Sequence, residues 1–216
     1  MLDRLLEAAA AWAEADQVIG GNLSLDLCNT VSGRHRDERR ERLSGPLELA
    51  GWALAAGALP RASAPALEPL VSEQEVPETG EASATLKRLR VLRAALYGAL
   101  TAELDGRLAD PPDLESIAGA VAEARRALRL TQSQAGFLWV LPEKASGWQE
   151  LEWRIALAIP EVLGPERPAP LRQCGRCSWL FLDRSRGRQR SWCSSRRCGN
   201  RARVERHYRR HGTAPD

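Results

Sequence analysis

Apolar residues recur along much of the chain at steps of three and four, the spacing of one face of an α-helix. The longest such stripe predicts a core helix over 82–108, with Lys87, Arg88, Arg90 and Arg93 on its outer face. The same periodicity predicts shorter helices over 2–15, 46–57, 114–128 and 148–163. A Pro-Pro pair separates 82–108 from 114–128, so these two helices are expected to form an antiparallel pair.

A different pattern, alternation of apolar and polar residues, predicts a strand over 22–30. Leu23, Leu25 and Leu27 would form its buried side. Shorter strands are predicted over 129–131 and 136–141, joined as a hairpin. We expect this hairpin to pair with the 22–30 strand, which would give a small antiparallel sheet among the helices.

Four of the five cysteines lie near the C-terminal end, as Cys174-x2-Cys177 and Cys193-x4-Cys198. Two close pairs at this separation are typical of one tetrahedral Zn²⁺ bound by four thiolates. Two disulfides, or clustered unpaired thiols, are the alternatives. The 2–15 segment is an amphipathic helix without the features of a secretory signal, so we expect a cytoplasmic protein with reduced thiols. Four thiolates leave no open position on the metal, which predicts one structural zinc ion.

The residues around the cysteines predict how this finger is built. A strand over 178–182, a turn over 184–190 and a returning strand over 191–193 precede a helix over 200–211, a treble-clef-like arrangement. At 100° per residue, one sector of the helix is expected to pack on the hairpin. This sector holds Arg201, Val204, Tyr208 and His211, while Arg203, Arg206 and Arg210 lie on the opposite side, flanked by Arg209. The predicted fold class is therefore α+β, a mostly helical N-terminal domain with a small antiparallel sheet, followed by a treble-clef-like zinc finger with four cysteine ligands.

Charge is divided unevenly between these parts. Residues 172–211 contain thirteen arginines, no lysine and two acids, a formal +11, so the remainder carries −8 of the whole-chain +3. Arginine suits bidentate contact with phosphate and guanine edges. This favours nucleic-acid binding over two alternatives, a solvated basic tail and docking onto the acidic remainder of the same chain or of a partner. The predicted contact residues are Arg184, Arg186, Arg188, Arg190, Arg201, Arg203, Arg206, Arg209 and Arg210.

Two segments resemble known families. Cys193-Ser194 followed by Cys198-Gly199-Asn200-Arg201, with Phe181-Leu182-Asp183 before them, resembles the CGNR zinc finger. The segment GGNLSLDLCNT over 20–30 resembles the start of the ABATE domain, which commonly precedes that finger in bacterial proteins. The resemblance implies a stress-related transcription regulator, and it implies that Cys174, Cys177, Cys193 and Cys198 are the zinc ligands.

The sequence thus divides into an ABATE-like α+β domain over 1–163, a Pro-rich hinge over 164–170, the finger over 171–211 and a tail over 212–216. A Pro-rich connector over 60–83 lies within the first domain. No stretch approaches the roughly twenty apolar residues needed to cross a bilayer, so no membrane partner is expected.

These observations favour a zinc-dependent DNA-binding regulator over an enzyme, because the three histidines and the lack of a phosphate-binding glycine loop offer little catalytic material. The N-terminal domain is interpreted as a ligand-sensing or dimerisation unit. Asp26, Asn29 and Trp139 are candidates for a pocket that binds a small-molecule effector, although a structural role for Asp26 and Asn29 is favoured. RNA binding, through Trp179 or Trp192, and a protein-interaction adaptor are the alternative functions. Cys28 is interpreted as a small buried thiol.

Overall fold

The computed structural model describes residues 2–14, 17–34, 39–65, 67, 80–134, 136–143, 145 and 147–212. The α-helices are α1 Leu2–Glu14, α2 Leu23–Cys28, α3 Pro46–Ala55, α4 Glu81–Leu104, α5 Pro111–Ala127, α6 Gly147–Ala158 and α7 Asn200–His211. The strands are β1 Val31–Ser32, β2 Arg40–Glu41, β3 Arg129–Ser133, β4 Gly136–Val140, β5 Leu171–Gln173 and β6 Leu180–Leu182. Each sheet is one antiparallel pair, β1 with β2, β3 with β4 and β5 with β6. The predicted α+β fold class is confirmed.

The helices predicted from apolar periodicity are present, with shifted ends. α4 ends at Leu104 rather than at residue 108 because Gly106 takes a left-handed φ of 67°. The Gly106 N–H donates to Glu103 O and the Arg107 N–H to Ala102 O, the two bonds of a Schellman cap. Most of the predicted connector over 60–83 lies outside the described residues.

The predicted strand over 22–30 is wrong, because this segment forms helix α2. Its residues from Ser24 to Cys28 are all buried, so the alternation of apolar and polar side chains does not mark one buried face. Asn22 caps the helix, since its Oδ1 accepts from the Ser24 N–H at 2.9 Å. Close packing on every side has overridden the strand pattern in this short segment.

The predicted hairpin is confirmed as β3 and β4, with Arg129 opposite Val140. Its predicted pairing with residues 22–30 is wrong, because α2 offers no strand edge. The hairpin forms a two-stranded sheet with most of its side chains exposed to solvent. Phe137 is 69% exposed and Trp139 is 66% exposed.

Arg93 is buried rather than on the outer face of α4, which corrects the prediction for that residue. Its guanidinium donates to Thr30 Oγ1 at 2.6 Å and to Glu41 Oε1 at 2.9 Å. The cause is the segment containing β1 and β2, which covers this side of the helix. Lys87 and Arg88 are exposed as expected.

One hydrophobic core joins the N-terminal helices to the start of the finger. Ala169, Leu171, Leu180 and Leu182 are buried in the same cluster as the leucines of α2, α4 and α6. This core extends across the predicted hinge over 164–170, in which Ala169 is buried. Among the described helices, none has the length and apolar character required for a membrane span.

Candidate metal centre and basic surface

The sulfur atoms of Cys174, Cys177, Cys193 and Cys198 all lie within 4.8 Å of one another. The Cys177 and Cys193 sulfurs are 3.5 Å apart, and those of Cys193 and Cys198 are 3.7 Å apart. All four thiols are free of disulfides. A tetrahedral ion with metal–sulfur distances of about 2.3 Å needs sulfurs separated by about 3.8 Å, so this donor set fits zinc.

The first cysteine pair is held in the turn between β5 and β6. The Cys174 N–H donates to Trp179 O at 2.8 Å, and the Ser178 N–H donates to Cys174 O at 3.1 Å. Ser178 adopts a positive φ of 60°, which lets the chain turn tightly after Cys177. The partner of β6 is thus β5, which precedes the first cysteine pair. The predicted returning strand over 191–193 is wrong, since those residues form a loop rather than a strand.

The second cysteine pair is held by a π-helical turn, Ser195–Gly199, which leads directly into α7. The Gly199 N–H donates to Ser194 O at 2.9 Å. The two cysteine loops both approach the Trp192 ring. A Cβ atom added at Gly175 would lie 3.4 Å from this ring, and one added at Gly199 would lie 3.3 Å from it. Glycine at these two positions therefore allows the two cysteine loops to close on one aromatic ring.

The four thiols strongly affect one another's ionisation. Hydrogen bonds from Cys177, Cys193 and Cys198 lower the pKa of Cys174 well below its usual value. The hydrogen bond with Cys174 raises the pKa of Cys177. The pKa of Cys198 is also lowered and that of Cys193 is raised, so some thiols ionise at the expense of their neighbours. Ionisation of all four requires a cation among them.

Polar contacts fasten the finger to the N-terminal domain. Asn29 uses both ends of its side-chain amide, since Nδ2 donates to Leu180 O and Oδ1 accepts from the Leu180 N–H, each at 2.8 Å. Trp179 Nε1 donates to Val31 O at 3.1 Å. Sequence reasoning did not identify Asn29 as an anchor of the finger, because its partner is 151 residues away in the chain.

Asp26 and Asn29 are buried, and both bind backbone groups. Asp26 Oδ1 accepts from the Gly20 N–H at 2.7 Å, and burial raises the pKa of this carboxyl to about 7. Trp139 lines a cavity with Leu23, and neither Asp26 nor Asn29 is among the residues that line it. The structure thus does not bring the three candidates together around this cavity.

Eight of the nine arginines predicted to bind nucleic acid are exposed, and Arg190 is half-buried. The guanidinium of Arg190 donates to Cys193 O and lies 5.0 Å from the centre of the Phe181 ring. Its backbone N–H donates to Asp183 Oδ2 at 2.8 Å. Arg190 therefore belongs to the internal packing of the finger. The exposed residues are Arg184, Arg186, Arg188, Arg201, Arg203, Arg206, Arg209 and Arg210.

The predicted packing face of α7 is wrong. Val204 and Tyr208, which the helical angles place against the hairpin, are 45% and 38% exposed. The side of α7 that faces Gly175 and Trp192 across a small cavity carries Ala202, Glu205, Arg206 and Arg209. Glu205 Oε2 also accepts from Arg176 at 2.7 Å, which fixes this orientation.

Five arginines surround a cavity of about 410 Å³ between the β1–β2 segment and the finger. We call it the arginine cavity, and its basic residues are Arg40, Arg42, Arg176, Arg197 and Arg201. Burial, together with the nearby charges of Arg197 and Arg40, lowers the pKa of Arg42. No sequence signal marks this cavity, because residues 33–44 have charges of both signs, the pattern of a solvated loop or helix lead-in.

Two family models match the chain. The ABATE model, described as "Putative stress-induced transcription regulator", matches residues 21–166. The CGNR zinc finger model matches residues 171–211. Among curated proteins, none matches the chain.

Proposed function

Because the chain belongs to the ABATE family and ends in a CGNR zinc finger, we propose that it is a zinc-dependent DNA-binding protein that regulates transcription. The proposal combines a metal centre that organises the finger, a basic helix that contacts DNA and an N-terminal domain that positions both. The proposed protein binds DNA and is not an enzyme. It acts in the cytoplasm, where thiols stay reduced.

Zinc is the proposed metal, held by Cys174, Cys177, Cys193 and Cys198. When bound, it supplies folding free energy that the small apolar cluster of the finger does not provide. That cluster contains Trp179 and Phe181 as its only fully buried large side chains among the described residues. With four thiolates the centre carries about −2, so neighbouring arginines also balance its charge.

The observation that carries the proposal is the exposure of helix α7. Five arginines and one glutamate lie on this helix, and nearly all of its described side chains are exposed. Such a helix gains little from burial, and its positive charge suits a polyanion. Phosphate contacts from several arginines would fix the helix on DNA, while one or two side chains reach base edges.

The outward side of α7 suggests how contacts are divided. Arg203 and Arg210 lie within about 20° of each other on the helix, and Arg206 lies about 60° from Arg203. Val204 and Tyr208 are exposed on a different side of α7 from Arg203. We propose that the arginines bind phosphates.

DNA is favoured over RNA by the state of the two tryptophans. Trp179 is 2% exposed, and Trp192 is half-buried between Gly175 and Gly199. Trp179 therefore offers no free face for an unpaired base, and Trp192 exposes only part of its ring beside a cavity. Single-stranded RNA is usually recognised by stacking on open aromatic faces.

The N-terminal domain is proposed to act as a dimerisation unit. The β3–β4 hairpin exposes five large apolar side chains on its two faces, and exposed apolar surface often marks an interaction site. A dimer would present two fingers to two half-sites on DNA. The exposed residues are Leu130, Phe137, Leu138, Trp139 and Val140.

Selection of the zinc-loaded full chain against a random double-stranded DNA library, at near-physiological salt, tests the proposal. A single-stranded RNA pool is selected in parallel under the same conditions. We expect enrichment of a defined DNA motif and none from the RNA pool. Enrichment of RNA alone, or of neither pool, would overturn DNA binding and leave the finger as an RNA-binding or protein-docking module.

A further inference from the structure

The arginine cavity joins the two parts of the protein. Arg40 and Arg42 come from the β1–β2 segment, while Arg176, Arg197 and Arg201 come from the finger. Its residues are brought together only when the finger is docked through contacts such as those of Asn29 and Trp179. The cavity is therefore a product of the tertiary fold.

The lining of this cavity carries more positive charge than the metal centre balances. Five arginines line it together with Cys177, Cys193 and Cys198, three of the proposed zinc ligands, so the cavity adjoins the metal centre. No aspartate or glutamate is among its lining residues in the described part of the chain. Glu205 pairs with Arg176 from outside the cavity. A four-thiolate zinc centre contributes about −2, so a positive excess remains at the cavity.

Stacking holds part of this charge in place. The guanidinium carbons of Arg42 and Arg197 each lie 5.5 Å from the centre of the Trp179 ring. Trp179 is fixed in turn by its hydrogen bond to Val31 O. One ring thus orients two guanidiniums before any ligand arrives, which lowers the entropic cost of binding an anion.

Arg42 also carries an unsatisfied donor. Its Nε atom is buried and has no hydrogen-bond partner among the described residues. Buried donors are nearly always paired in folded proteins, and a missing partner points to an acceptor that binds there. An oxyanion beside Arg42 would satisfy this N–H and reduce the repulsion between neighbouring guanidiniums.

We propose that the arginine cavity is a binding site for a small phosphate-bearing anion that bridges the N-terminal domain and the finger. Phosphate matches the bidentate geometry of arginine and, as a dianion, the surplus charge. The volume of about 410 Å³ lies within the range of small-molecule sites, which allows a phosphorylated metabolite as well as free phosphate.

Occupancy of the site has a consequence for the proposed DNA binding, and this part rests on that function. Arg201 lines the cavity and also lies in the first turn of α7. An anion that binds Arg201 removes it from the set of side chains available to DNA. The anion is then an effector that lowers DNA affinity.

The direct test is calorimetric titration of inorganic phosphate into the zinc-loaded full chain without DNA, with ionic strength held constant by chloride. We expect saturable binding of one phosphate per chain. Arg42→Gln and Arg40→Gln should each weaken it about tenfold, the effect of removing a charged hydrogen bond. Arg40 is exposed, so Arg40→Gln is expected to leave the packing intact and separates ligand binding from folding.

The matched control is Arg125→Gln, an exposed arginine on α5 far in sequence from the cavity residues. It should leave phosphate affinity within about twofold, since screened surface charges contribute little. Absence of saturable binding, or equal losses in Arg40→Gln and Arg125→Gln, would overturn the site.

DNA binding of Arg40→Gln separates a small anion from the nucleic-acid backbone as the source of phosphate. We expect DNA affinity within about twofold of the unmodified chain, because Arg40 lies outside α7. If Arg40→Gln loses DNA affinity and phosphate affinity equally, the cavity is part of the surface that binds the DNA backbone. That result would overturn the small-anion site. If DNA does not bind at all, only the proposed function fails, and the calorimetric result still decides the anion site.

Discussion

The side-chain amide of Asn29 pairs with the backbone of Leu180 as a neighbouring strand would, giving one hydrogen bond to its carbonyl and accepting one from its N–H, both at 2.8 Å. Asn29 ends helix α2, and Leu180 begins β6 within the finger. Asn29 thus satisfies both backbone groups of Leu180, and the Gly20 carbonyl accepts from the Leu182 N–H at 2.9 Å on the same strand.

Substitution Asn29→Ala should lower the free energy of unfolding by roughly 2–4 kcal/mol, because it leaves the N–H and C=O of Leu180 buried and unpaired. Urea unfolding of the zinc-loaded chain measures the change. Gln132→Ala removes an exposed amide from β3 and should change the free energy by less than about 0.5 kcal/mol. Equal stabilities of Asn29→Ala and the unmodified chain would show that the Asn29 contact does not stabilise the docked finger.

Substitution Cys193→Ser should abolish stoichiometric zinc binding and reduce helicity, because its sulfur lies beside those of both Cys177 and Cys198. Metal analysis and circular dichroism measure the two effects, and removal of zinc with a chelator should reproduce them in the unmodified chain. Cys28→Ala serves as the control, since that thiol lies outside the cluster and its burial raises its pKa to about 12. One zinc per chain in Cys193→Ser would contradict the ligand assignment.

Substitutions Arg203→Ala and Arg206→Ala should weaken DNA binding and flatten its salt dependence. The slope of log affinity against log salt should fall by about one unit for each lost phosphate contact. Fluorescence anisotropy over a salt series measures it, with Arg125→Gln as the control. If the slope is unchanged in both variants, DNA does not contact these residues of α7. The turn that carries Arg184, Arg186 and Arg188 would then be the candidate contact surface.

Asp26 should make stability depend on pH. Its pKa is raised from 3.8 to about 7 by burial, so the folded protein binds a proton that the unfolded chain releases. This contribution to stability is full below pH 3.8 and is lost as pH rises through about 7. Asp26→Asn removes the effect while retaining an oxygen acceptor for the Gly20 N–H.

We therefore expect the stability difference between Asp26→Asn and the unmodified chain to move in favour of the variant as pH rises from about 6 to about 8, across the pKa of Asp26. Urea unfolding at each pH measures it, and the difference cancels thiol titration common to both proteins. A difference that is constant with pH would exclude a buried titrating carboxyl at Asp26.

Apolar periodicity is sufficient to predict α1, α4, α5 and α6. For α3, where Leu49 to Ala53 are all buried, the helix is predicted from Pro46 at its start and Gly57 after its end. Periodicity fails for α2 because all residues from Ser24 to Cys28 are buried, so no face distinguishes a helix from a strand. It also fails for the orientation of α7, because helical angles alone do not reveal that Ala202 and Glu205 are on the side facing Trp192.

The cysteine cluster can be predicted because thiol spacing directly reflects the geometry of a metal centre. The arginine cavity cannot, since Arg42 and Arg197 are distant in the chain and meet only around Trp179. The sequence suggests Asn29 as a pocket candidate, but it does not reveal Leu180 as its partner, because amide-to-backbone contacts carry no sequence pattern.

The shared core has a consequence for how this chain can be cut or rearranged. Leu171, Leu180 and Leu182 belong to the finger by their place in the sequence, yet they fill the interior of the N-terminal domain. Cleavage within 164–170 would therefore expose apolar surface on both fragments, and neither would be expected to remain in solution as a well-folded unit. Transplanting the finger alone onto another protein should fail for the same reason.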